Sequence, residues 1–406
     1  MKDFTLLDQM RQTGDPLADA VVAEYIVAGE VPQLNALLGR LHANMADPKG
    51  FPPPLAAYLD ASSRLPDWAD PVRIEKAQRL FTLHGPVFGL VMLFKSLPVL
   101  YAGGKGGAQV LVMTGQLTNH YRRRASETLR FILDVMEPGG LGPGGKGIRT
   151  AQKVRLMHAA IRAYASAAPE WKGRLPDWGQ PINQEELGGT LLAFSSVTLD
   201  GVRAMGLKIS PEDEDAYLHA WSVIGHILGI DARLYPRTMG FAKGFWAALQ
   251  QRNFFRTEQG LLLIQDHQAF LAELIPGKLL DRGIPKLLRY LMGRRISGPV
   301  FNLPDTSAPY ALLLILMEGF KLQRFGFRLF PGLVGEARGL SIQLMEAFQA
   351  YLKAGTTSRP FQVPPSLTRH GGEAPLGDGK APADWTPKSQ PASAESPTER
   401  QDLQRM

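Results

Sequence analysis

Val154-Arg155-Leu156-Met157-His158-Ala159-Ala160-Ile161-Arg162 sets a single histidine among apolar residues at helical spacing. No period-two alternation competes with that pattern here or elsewhere in the chain, so the stretch reads as a helix with His158 beside its apolar face. Upstream, Arg124 and Thr128 stand four apart and share one face of a helix predicted over 121–136. Downstream, Ile182-Asn183-Gln184-Glu185-Glu186 leads into a helix that carries Thr190. One imidazole facing one polar helix face suggests a haem pocket.

The same periodicity predicts helices over 71–84, 86–97, 107–119, 150–167, 184–206, 212–229, 238–251, 258–273, 277–292, 308–323 and 333–353. The fold class is therefore all-α. Ser210-Pro211-Glu212-Asp213-Glu214 is a helix start, with Ser210 as N-cap, Pro211 in the first turn and acids near the positive end of the dipole. Between Glu137 and Gly147 lie six glycines and two prolines, which predict a helix break and a mobile loop. Residues 1–60 read as an N-terminal helical wrap, 61–355 as the main helical domain, and 356–406, rich in Pro, Gly, Ser, Thr and charge, as a disordered tail.

Composition excludes several chemistries. The chain of 406 residues is 45% hydrophobic, enough for a large core, and contains no cysteine, so disulfides, thiolate-ligated or covalently attached haem, and Cys-ligated iron–sulfur clusters are ruled out. The charge of +7 comes from 45 basic and 38 acidic residues without a long basic run. It favours solubility and peripheral contact with anionic membrane surfaces, and with no binding motif beside it gives no case for nucleic acid. There is no His-Glu-x-x-His helix and no Gly-x-Ser-x-Gly elbow. The apolar stretch Pro86 to Ala102, broken by Lys95 and Pro98, is too short to span a bilayer comfortably and reads as a buried helix pair or a channel wall. Met1 to Ala20 lacks the signal-peptide pattern, so the sequence as it stands predicts a cytoplasmic protein, secreted only with a leader it does not contain.

Among the eight histidines, His158 is the candidate iron ligand, with His84 and His120 as alternatives near apolar helix ends. His219 and His226 are seven apart, about 10 Å along a helix, too far for one ion, and read as structural. His42, His267 and His370 read as surface or loop residues. In the cluster Tyr121-Arg122-Arg123-Arg124 the arginines fit either a solvated face or pairing with haem propionates. Glu185 and Glu186 read as acids that complement a helix dipole.

From about Leu117 to Asp231 the chain resembles the catalytic domain shared by latex-clearing proteins (rubber oxygenases) and the fungal oxygenase MpaB, a family of b-type haem proteins. Arg124, Thr128 four residues on, and His158 thirty residues past the threonine match the family pattern, and Ile182 to Ser196 and His219 to Ile230 resemble its latex-clearing branch. The resemblance implies a globin-like helical core holding haem b, His158 as proximal ligand, Arg124 and Thr128 near the haem or its distal side, and Thr190 as a pocket residue. It implies dioxygen as co-substrate and oxidative cleavage of carbon–carbon double bonds in polyisoprene or a smaller isoprenoid or lipid. Two positions depart from the family. Glu127 stands where its members can carry a lysine as second axial ligand, and residues 103–120 hold no Asp or Glu where they carry an acid thought to act as a base. Glu127 is then the nearest carboxylate for that catalytic role. The competing expectations are a haem-binding sensor or carrier without turnover and a membrane-surface lipid-binding helical protein.

Overall fold

The computed structural model describes residues 4–42, 51–114, 121–274, 283–304 and 332–354, with isolated positions between 318 and 330. Among these the regular structure is all-α, and the one pairing of extended backbone is a single bridge between Gly103 and Phe254. In chain order the helices are α1 (Thr5–Arg11), α2 (Pro16–Val27), α3 (Val31–His42), α4 (Pro53–Ser63), α5 (Pro71–Val91), α6 (Gly107–Met113), α7 (Tyr121–Met136) and α8 (Lys146–Ala167). They continue as α9 (Gln184–Phe194), α10 (Ser196–Ala204), α11 (Pro211–Ile227), α12 (Met239–Asn253), α13 (Glu258–Leu274), α14 (Ile284–Met292) and α15 (Leu333–Ala354). The segments expected at 115–119, 277–282 and 308–317, His120, His370 and the expected tail from 356 lie outside the described residues.

The axis of the molecule is α5. It packs on α11 and α15 and runs on through a π-helical stretch, Met92–Ser96, to Leu100. Two separate helices were expected here, and the stretch was expected to be too short for a bilayer. The structure instead joins them in one rod, Pro71–Leu100, which by length and composition alone could cross a membrane, with 56% of its most apolar window buried inside the fold. The join is a kink at His84, whose backbone (φ −120°, ψ 20°) leaves the helical region. Pro86 causes it, because proline has no N–H to give and its ring displaces the carbonyl one turn back. The Gly85 N–H released at the kink donates to Ser341 Oγ on α15 at 3.1 Å. Ser341→Ala leaves that buried donor without a partner and is expected to cost about 1–3 kcal/mol, read as a lower urea midpoint at unchanged slope.

A second unit surrounds α8, which packs against α7, α2, α3 and α4. Asp15 holds Arg155 through both oxygens (2.5 and 2.7 Å), Asp19 pairs with Arg162 at 2.8 Å, and Tyr58 Oη donates to Gln152 O at 2.8 Å. The glycine-rich connection from α7 to α8 breaks the helix where a break and a loop are expected, and it is built as a set of hydrogen-bonded turns. Gly140, Gly142 and Gly145 each donate to a carbonyl three residues back, and Ile148 N–H returns to Gly140 O. A Cβ on Gly145 would stand 2.3 Å from Gly140 O, so glycine is required for the backbones to approach. The helix expected over 184–206 is two, α9 and α10, parted at Ser195 (φ −102°, ψ −94°), whose hydroxyl bonds back to Leu191 O at 2.7 Å. At α11, Asp213 N–H donates to Ser210 Oγ at 3.1 Å, so the expected cap is formed.

Candidate active site

Helices α7, α8 and α9 each turn one stripe toward a common cavity of about 290 Å³. On α7 the stripe is Tyr121, Arg124, Ala125 and Thr128, and on α8 it is Val154, Met157, His158 and Ile161, both at the i, i+3, i+4, i+7 spacing of a single helix face. From α9 come Glu186, Leu187, Thr190 and Leu191. The five residues singled out in sequence, Arg124, Glu127, Thr128, His158 and Thr190, all lie on the wall of this cavity. Apolar side chains dominate the rest, among them Leu97, Leu111, Phe131, Phe194 and Trp246. His84 does not reach it.

Burial pushes the His158 imidazole down to about 3, with the positive charges of Arg124 and Arg162 acting in the same direction. The ring is neutral at physiological pH, and a neutral imidazole is the form that binds iron. Arg124 keeps a buried Nε with no hydrogen-bond partner among the described residues. Its neighbours are spent elsewhere. Arg122 pairs with Glu273 at 2.7 Å and lies over the Tyr351 ring, and Arg123 faces Glu127 at 3.4 Å. The basic cluster thus divides into a surface pair at Arg122, a pair of the buried Arg123 with Glu127 of the cavity wall, and one cavity cation, Arg124. Thr190 Oγ1 donates to Glu186 O at 2.9 Å, within its own helix.

Glu185 and Glu186 do more than complement a dipole. Glu185 is fully buried, 2.7 Å from Arg11 Nη2 and 2.9 Å from Arg252 Nε, and accepts from Asn253 Nδ2 at 2.8 Å. Arg11, from α1, is held in place by donating to Lys105 O at 2.8 Å and Trp178 O at 3.1 Å. Glu186 turns the other way, with 19% of its side chain exposed, and lines the cavity. Its Oε1 has no hydrogen-bond partner among the described residues and lies 3.8 Å from Arg11 Nη1. Burial pushes the Glu186 carboxyl up to about 8, with Arg11 opposing the shift and Glu185 adding to it.

That shift fixes a sign. The folded protein keeps the Glu186 proton to about pH 8, whereas the unfolded chain releases it near the ordinary value of 4.5. Between those limits the folded state binds more protons, so this group makes stability fall as pH rises from 4.5 to 8. Glu186→Gln is expected to flatten the fall, which urea midpoints at pH 5, 6.5 and 8 check.

Beside Arg124 a chain of hydrogen bonds leaves the cavity. Tyr101 Oη and Tyr121 Oη are 2.7 Å apart, Tyr121 Oη bonds His267 Nδ1, and His267 Nε2 is 2.8 Å from Leu93 O. His267 is fully buried, which corrects the expectation of a surface or loop residue. The signal was present, since Leu263, Ile264, His267, Phe270 and Leu271 are buried at the spacing of one helix face, and His267 stands inside that stripe. His219 accepts the N–H of the Asp70 N-cap at 2.9 Å, a bond that holds the start of α5.

Residues 78–308 match the family described as ER-bound oxygenase mpaB/B′ and rubber oxygenase, catalytic domain. The chain belongs to this oxygenase family. A rubber oxygenase of Streptomyces sp. (strain K30) is 27% identical over 294 residues, 70% of either chain. The structure of the latex clearing protein LCP in its closed state shares the helical fold, with a TM-score of 0.65 and 24% identity over 87% of this chain and 94% of that one. The family-matched span contains α7, α8, α9 and His267 but not Arg11, which closes the cavity from outside it. Among the described residues no group of three or more His, Asp or Glu side chains is placed to hold a bare metal ion.

Proposed function

We propose that the chain is a haem b-dependent oxygenase that uses dioxygen to cleave carbon–carbon double bonds in an isoprenoid, either polyisoprene or a smaller isoprenoid or lipid. The observation that carries this reading is the meeting of a neutral His158 with Arg124 and Thr128 on one apolar cavity. The residues fit the group. His158 offers a nitrogen lone pair, the partnerless Nε of Arg124 suits a propionate carboxylate, and the surrounding side chains suit a macrocycle and an alkene. Haem b, when bound, supplies the iron that binds and activates dioxygen.

The chain's own residues supply the rest. His158 ligates, Arg124 orients, and Thr128 presents a hydroxyl one turn along the same face. Leu97, Leu111, Phe131 and Trp246 align an apolar substrate and keep water out. Glu127, Glu185 and Glu186 are the carboxyls within the cavity wall, and Glu185 is committed to Arg11, Arg252 and Asn253. Glu186 holds a proton at neutral pH with Oε1 unbonded, so it is the better placed to exchange one with the substrate, while Glu127 is shared with Arg123.

The test is haem content by pyridine haemochrome, followed by oxygen uptake with squalene and with polyisoprene and analysis for carbonyl ends. Haem with turnover supports the proposal. Haem without oxygen uptake on any alkene leaves a sensor or carrier, and a colourless protein that takes up no haemin removes the haem reading.

A further inference from the structure

We propose that Tyr121 is a redox-active tyrosine, which gives up one electron to an oxidant in the cavity while its phenolic proton moves to His267. The direction of the hydrogen-bond chain is forced from its far end. Leu93 O can only accept, so His267 Nε2 carries the hydrogen at that 2.8 Å contact. Burial pushes the ring down to about 4, so it is neutral and Nδ1 is left as an acceptor. Tyr121 must then donate to Nδ1, and its oxygen, having spent its hydrogen, accepts from Tyr101 across 2.7 Å.

This arrangement meets the requirements for oxidising a buried phenol. A phenol radical cation in an apolar interior is costly, so the electron leaves readily only if the proton leaves with it. Imidazole Nδ1 is in place to take it, and the radical cation of a phenol is a far stronger acid than imidazolium. The transfer therefore runs toward His267 although burial disfavours the charged ring. The step balances: the Tyr121 O–H bond breaks, the proton forms a bond to Nδ1, the electron passes to the oxidant, and Tyr121 is left a neutral radical. An electron from a reductant, with return of the proton, restores both residues. Tyr101 then donates to the phenoxyl oxygen and stabilises it.

Three other buried tyrosines lack this provision. Tyr58, Tyr217 and Tyr235 are bonded to the carbonyls of Gln152, Phe194 and Ile230, which cannot hold a proton. Tyr121 and Tyr101 also line the cavity itself, beside Arg124, so the donor adjoins the place where oxidising chemistry would occur. The function would be an electron reserve that discharges a stray oxidising equivalent before it attacks the cavity wall. The proposal rests on the oxygenase reading only for its oxidant, a haem oxidised by hydrogen peroxide.

Haem-loaded protein is mixed with hydrogen peroxide, freeze-quenched and examined by electron paramagnetic resonance. A tyrosyl signal in the wild type that is lost in Tyr121→Phe, and short-lived in His267→Gln, is the expected result. Phenylalanine retains the ring packing against Phe270 (centroids 4.6 Å apart), so Tyr121→Phe is expected to fold, as circular dichroism checks. An identical signal in Tyr121→Phe, or none in haem-loaded wild type, overturns the proposal. If the protein takes up no haem, the oxygenase reading fails separately, and pulse radiolysis with azide radicals tests the tyrosine in the haem-free chain. Oxidation of tryptophan should then pass to a long-lived tyrosyl absorption that Tyr121→Phe abolishes, and an unchanged trace in the variant overturns the proposal here too.

Discussion

His158→Ala is expected to purify as a folded protein without a Soret band, whereas the wild type reconstituted with haemin shows one. The size of the effect follows from the composition of the wall. Without cysteine, and among the described residues, the cavity holds one imidazole among mostly aliphatic and aromatic side chains, and no second described histidine lines it to substitute. Apolar contact and the Arg124 pairing would retain some haem loosely, so the measured loss should be at least about tenfold in affinity, or roughly 1.4 kcal/mol. Removing a buried neutral imidazole costs the fold little beyond a small void, which separates ligand loss from unfolding. Circular dichroism identical to wild type with the Soret band gone supports the assignment. A His158→Ala protein with an unchanged Soret maximum and haem content would sink it.

Arg11→Ala is expected to lower stability by about 3–5 kcal/mol, because it leaves the fully buried Glu185 with an incomplete set of positive partners. Two backbone carbonyls, Lys105 O and Trp178 O, lose their donor in the same step. Arg252 and Asn253 remain on Glu185, so the cost comes from a network broken at one corner. The double variant Arg11→Ala/Glu185→Gln should lose less than the sum of the single losses, since each change removes what the other strands. Additive losses in urea titrations would show that the pair is not energetically coupled.

Much of the cavity was readable in the sequence because its walls are helix faces. Arg124 and Thr128, or Met157, His158 and Ile161, are brought together by the 3.6-residue repeat alone, and the family resemblance set those faces against each other. What escaped depends on contacts between distant segments. Nothing local to Arg11 in the first helix announces Glu185 in the ninth, and Glu186 looked like a dipole acid because its first-turn position is the same whether it faces solvent or a cavity. His267 was misread although its spacing was informative, since a histidine among Gln265, Asp266 and Gln268 looks polar until the stripe from Leu263 to Leu271 is traced. The kink at His84 was legible as a break at Pro86. That the chain would continue through it as one rod was not, because the serine that satisfies Gly85 lies on a helix from the far end of the described chain.

Ser341 and Arg11 both stand outside the span that matches the family, one beyond its end and one before its start. Each closes a polar vacancy inside that span: an amide at the bend of the central rod, and a carboxylate behind the cavity. The unit that matches the family is therefore smaller than the unit in which these two buried polar groups are satisfied. A fragment cut at 78 and 308 would retain every cavity-lining residue but Arg11 and lose two of its fastenings, and grafting or dissecting such domains by their recognisable limits invites aggregation unless both flanking helices travel with them.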